Sequence, residues 1–122
     1  MIKKIQKHMA SQENAWRGLR EMILTQQNFN IELFAALLVV IAGFIFKISS
    51  VEWALIIICI IGVLAAESIN TSIEKACDAI TLEYNEHIKS AKDMGATAVL
   101  IIATGSVVIG GIIFLPKLIG LL

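Results

Sequence analysis

Glu67, Asn70, Glu74 and Asp78 are the residues most able to hold metal or move a proton. They stand three or four positions apart. At about 100° per residue they fall in one narrow stripe of a helix, with Ile69, Ile73, Ala76 and Ile80 opposite. The stripe grows out of an apolar run, Trp53 to Ala66, so its first member stands at membrane depth. Carboxylates there are costly unless they meet cations, metal or water, which makes such a stripe a functional-site hypothesis by default. Glu67 and Glu74 lie two turns apart, roughly 10 Å along the axis, too far to share one metal ion. Magnesium keeps several waters and takes one or two carboxylates plus substrate phosphates, so Glu74 suits a metal-nucleotide complex. Glu67 lies deeper, where it can accept a proton from a hydroxyl, with Asn70 to orient it. Lys92 and Asp93 enter the next helix at the level of Glu74 and Asp78. A lysine there can neutralise transferring phosphoryl oxygens. The same residues would serve equally well as a salt-bridge lattice tying the helix ends together.

The elements that must position this stripe are apolar. Of 122 residues, 57% are hydrophobic and 16% charged, leaving no polar surface with which to wrap the long runs 33–46, 53–66 and 94–116 in water. The chain reads as an all-α membrane protein of one domain, residues 1–122, with spans at about 30–48, 52–80 and 92–118. Residues 1–28 precede them. There Ile2, Ile5, Met9, Trp16, Leu19 and Ile23 recur at helical spacing, which predicts an amphipathic surface helix, or two with a bend near Ser11. A plain solvated helix is the other reading of that pattern.

Net charge is zero and no nucleic-acid footprint is visible. Lys3, Lys4, Lys7, Arg17 and Arg20 precede the first span, Lys89 and Lys92 lie between the second and third, and Lys47 alone occupies the first hairpin. Positive charge stays inside, so the N-terminus and the 81–92 loop are expected in the cytoplasm, beside the stripe. The N-terminal stretch lacks the apolar core and cleavage site of a signal peptide. Ser50 is the expected N-cap of the second span, and Pro116 with Lys117 marks the far exit of the third. Cys59 and Cys77 stand roughly 27 Å apart on one helix and cannot bridge within the chain. Gly95, Gly105, Gly110 and Gly111 suit close helix packing. The 105–111 glycines are not a phosphate loop, since the Lys and Ser/Thr that should follow are missing.

The run Glu67-Ser-Ile-Asn70-Thr-Ser-Ile-Glu74, followed by Asp78, Glu83-Tyr84 and Ala91-Lys92-Asp93-Met94-Gly95, resembles the small prokaryotic integral-membrane diacylglycerol kinases and their undecaprenol kinase relatives. The similarity extends from about Trp16 to Pro116. It implies ATP-dependent phosphorylation of a lipid hydroxyl in the bacterial inner membrane, by a magnesium-dependent homotrimer whose active sites are shared between protomers. By the same resemblance Glu67 matches the catalytic base and Glu74 a magnesium ligand. Asp78, Glu83, Lys92 and Asp93 match the nucleotide-binding region, and Asn70, Trp16 (with Gly18) and Glu32 match supporting positions. One position departs: Gln26 stands where a second metal-binding Glu is usual. A neutral amide offers one oxygen and no charge, so either that metal site is weakened or Glu21 compensates.

Two lipids fit. Trp16 with Gly18-Leu19, Glu32, and the EY and AKDMG segments resemble the diacylglycerol branch, the reading favoured at this level, with phosphatidic acid as product. The FLPK segment, Phe114 to Lys117, and the first hairpin resemble the undecaprenol branch, whose product is undecaprenyl phosphate. From a different class, a non-catalytic membrane assembly subunit would use the acidic stripe only to bind a partner helix.

Overall fold

The computed structural model describes residues 1–121 as four helices, α1 (Ile2–Thr25), α2 (Gln27–Ile45), α3 (Ser50–Ile80) and α4 (Glu86–Ile119). Three of them, α2, α3 and α4, are long and apolar enough to cross a membrane. α4 packs along α3, α2 lies against α3, and α1 meets α2 at its end. Large apolar side chains such as Leu100, Ile101 and Ile112 point outward, as lipid-facing residues do.

The helix ends follow local chemistry. α1 runs unbroken through Ser11, one helix rather than the alternative of two. It stops at Gln26, which is extended (φ −107°, ψ 104°), and Asn30 Nδ2 covers the exposed Ile23 carbonyl at 2.7 Å. At the end of α2 the Ile48 N–H bonds Gly43 O (3.1 Å) and the Lys47 N–H bonds Phe44 O (3.3 Å). This is a Schellman closure, with Lys47 rather than glycine in the left-handed region at φ 49°. Gly43 is required for another reason: a Cβ there would stand 2.7 Å from the Trp53 ring.

Ser49, not Ser50, caps α3. Its hydroxyl accepts from the Glu52 N–H at 3.3 Å and Glu52 Oε2 accepts from the Ser49 N–H at 2.7 Å, a reciprocal capping box. The cap consequently starts the second span earlier than residue 52. Asn85 caps α4 by accepting from the N–H groups of His87 and Ile88, so the third span begins at Glu86, before the expected 92. At its other end the helix continues past Pro116 to Ile119, because a proline in the last turn removes only one bond.

Near the Ser49 end, Ile48, Ile56 and Ile113 are buried together, flanked by Phe46, Trp53 and Phe114. Lys117 reaches back to Glu52 Oε1 at 2.8 Å and closes the α3–α4 pair there. At about 1.5 Å per residue, α3 with 31 residues and α4 with 34 are each longer than a bilayer core is thick. The stripe lies toward the end of α3 away from this cluster.

Candidate functional site

The stripe lies where α3 meets α2 and α4. Glu67 is 5% exposed and Asn70 6%, unusual burial for such groups. α4 approaches closely here because residue 95 is glycine. A Cβ on Gly95 would stand 2.5 Å from Asn70 Oδ1, so the missing side chain is the space that Asn70 occupies. Asn70 Nδ2 donates to Glu74 Oε1 at 3.3 Å, steadying that carboxylate one turn on. Asn70 Oδ1 is buried and accepts no hydrogen bond among the described residues.

Across from Glu67 stands α2. Asn28 and Glu32, four residues apart on that helix, both face the Glu67 carboxyl. Glu32 Oε2 is buried and likewise without a partner among the described residues. A cavity of about 290 Å³ runs from Glu32 between the helices, past Val39, Ile60 and Val107 to Phe114. Glu32 Oε2, an acceptor without a donor on the wall of an apolar cavity, is a feature that the hydroxyl of a lipid would satisfy.

Further along α3, Lys92 Nζ bonds Asp78 Oδ1 at 2.6 Å across the α3–α4 pair, joining two residues of the expected nucleotide region. Asp93 turns away. It accepts from Lys89 at 2.6 Å, an exposed pair on α4's own surface. Glu83 lies in the short 81–85 turn, where its N–H donates to Thr81 Oγ1. Trp16 is 68% exposed on α1 and takes no part in the cluster.

Glu21 is paired with Lys75. The bond with that ammonium holds the Glu21 carboxyl below the usual carboxylate range. Gln26 turns its amide along α1, donating to Thr25 Oγ1 at 2.8 Å. Among the described residues no three His, Cys, Asp or Glu side chains gather around one point. Glu74 keeps a second carboxylate oxygen free of hydrogen bonds within the described set. One such carboxylate suits magnesium that arrives with nucleotide phosphates and keeps its waters, and it does not suit an all-protein cage.

The role of Asn28 and the fit of Gly95 against Asn70 were not legible from the stripe alone. A spacing of four between Asn28 and Glu32 was the available signal for the first. The second needed the α3–α4 register.

Comparison with known proteins adds the chemistry. Residues 13–114 match the family model described as prokaryotic diacylglycerol kinase. The chain is 42% identical over 105 residues to the undecaprenol kinase of Bacillus subtilis, covering 86% of this chain and 85% of that protein. It is 36% identical over 87 residues to the diacylglycerol kinase of Escherichia coli K12, covering 71% of each. To the diacylglycerol kinase of Synechocystis it is 33% identical over 109 residues, covering 88% of this chain and 62% of that protein.

Proposed function

The chain belongs to the prokaryotic diacylglycerol kinase family, a family of multi-pass membrane lipid kinases, and from that premise we propose that it transfers the γ-phosphoryl group of ATP to the primary hydroxyl of undecaprenol. The observation that carries the transfer is the buried Glu67 beside Glu32, which lines an apolar cavity, with the Asp78–Lys92 pair beyond it on the same helix surface.

The lipid tail lies in the hydrocarbon and its hydroxyl reaches Glu67. The hydroxyl oxygen forms the new bond to the γ-phosphorus as the bond to ADP breaks. Its proton passes to the Glu67 carboxylate, which Asn28 orients. Magnesium, when bound with the nucleotide, supplies charge neutralisation at the phosphates, and Glu74, held by Asn70, is the residue placed to receive it. Lys92, aligned by Asp78, offers its ammonium to the phosphoryl oxygens, where positioning and charge do most of the work. The distribution of lysine and arginine supports a cytoplasmic N-terminus and nucleotide side in this reading. A homotrimer with sites shared between protomers, in the bacterial inner membrane, belongs to the same reading.

Undecaprenol ranks first because the Bacillus subtilis protein is similar at higher identity and over more of its length than the diacylglycerol kinases above. Diacylglycerol is the second reading, supported by those two relatives and by Trp16, Glu32 and the AKDMG segment. The deciding experiment measures kcat/KM for both lipids in mixed micelles with radiolabelled ATP and magnesium. A higher value for undecaprenol supports the first reading and a higher value for diacylglycerol installs the second. Transfer to neither, from well-assembled protein, overturns the kinase.

A further inference from the structure

α1 buries none of its residues, so polar contacts fasten it. It joins α2 through the single extended residue Gln26 and the Asn30 bond to Ile23 O. More than a turn back along α1, Glu21 meets Lys75. Among the described residues this is the one ion pair linking α1 to α3. Around the pair lies a crevice of about 380 Å³, lined by Gly18, Met22 and Gln26 on one side and by Ser68, Thr71 and Ser72 on the other. Its α3 wall adjoins the reactive stripe: Ser68 is next to Glu67 in sequence, and Thr71, one turn on, is only 4% exposed. α1 therefore covers the face of α3 that adjoins Glu67 while being held there by a half-exposed contact.

We propose that the Glu21–Lys75 pair is a positioning device that seats α1 as a cover over the crevice and keeps water from the base and the bound phosphates. The inference rests on the reading of Glu67 as the base. With the pair open, α1 swings about Gln26 and a water molecule competes with the lipid hydroxyl. The water oxygen bonds the γ-phosphorus, one of its protons passes to Glu67, the bond to ADP breaks, and inorganic phosphate leaves in place of phosphorylated lipid. Active sites that exclude water suppress this side reaction.

The test uses the full chain in mixed micelles and counts inorganic phosphate and phosphorylated lipid per ATP consumed. In Glu21→Gln and in Lys75→Gln the share of ATP lost to water rises about three-fold, the scale of an exposed ion pair. The swapped variant Glu21→Lys/Lys75→Glu restores coupling. Raising salt from about 0.05 M to about 0.5 M makes the wild type leak as well. An unchanged share in the single variants, or a swapped variant that leaks as they do, overturns the proposal. Trypsin cleavage after Arg17, followed by mass spectrometry, reads the seating without activity: it quickens in both single variants and slows again in the swap. If the wild type phosphorylates no lipid, the kinase reading falls, and Arg17 cleavage alone then decides the latch, unaltered cleavage overturning it.

Discussion

The two ends of α3 use the same residue type to opposite purposes. At the Ser49 end Glu52 has both oxygens engaged, one by the Ser49 N–H and one by Lys117, beside a packed cluster of Ile48, Ile56 and Ile113. At the other end Glu67 is buried against a second carboxyl, and Glu32 Oε2 and Asn70 Oδ1 have no donor among the described residues. Folding alone favours the first arrangement, because a buried acceptor left unpaired costs free energy. The second persists where a substrate supplies the missing donors. Unsatisfied groups at one end and satisfied ones at the other therefore separate the chemistry of the chain from its support.

Substitutions on either side of that divide sharpen it. Glu67→Gln removes the proton acceptor and is expected to lower phosphate transfer about a thousandfold, within the range for general-base catalysis, measured as labelled lipid formed per minute. Gly95→Val places a side chain where Asn70 Oδ1 now stands and releases the hold on Glu74. It should cost activity about tenfold or more and, as an overpacking change, about 1–3 kcal/mol of stability, read by thermal unfolding beside the assay. Lys92→Met removes the charge-assisted bond to Asp78 and should raise KM for MgATP about tenfold with less effect on KM for the lipid. Lys117→Met acts at the supporting end: Tm falls by roughly a few degrees and transfer at permissive temperature is unchanged. Gln26→Glu should have the smallest effect, a lower magnesium concentration for half-maximal rate. An unaltered magnesium dependence would count against any metal role for that position.

The spans were legible because apolar runs of this length have few alternatives. Glu67, Asn70 and Glu74 could be seen together because helical spacing alone aligns them. Helix starts were less legible. Ser49 and Ser50 are both capable caps, and only the reach of Glu52 back to the Ser49 N–H separates them. The contribution of α2 was only partly visible, since whether Asn28 and Glu32 face Glu67 depends on how α2 rotates against α3. Asp93 shows the limit of motif matching. It sits beside Lys92 in sequence, yet one step along a helix turns it about 100° away, to Lys89. The Glu21–Lys75 pair joins residues 54 positions apart, beyond any local pattern.

The most direct test takes one glutamate from each end of α3. Glu67→Gln and Glu52→Gln are purified side by side, and each is assayed for phosphate transfer to undecaprenol and to diacylglycerol and for thermal unfolding. The account requires Glu67→Gln to lose transfer to both lipids while unfolding at or above the wild-type temperature, and Glu52→Gln to keep transfer while unfolding earlier. Retained transfer in Glu67→Gln, or loss of transfer in a fully folded Glu52→Gln, would contradict it.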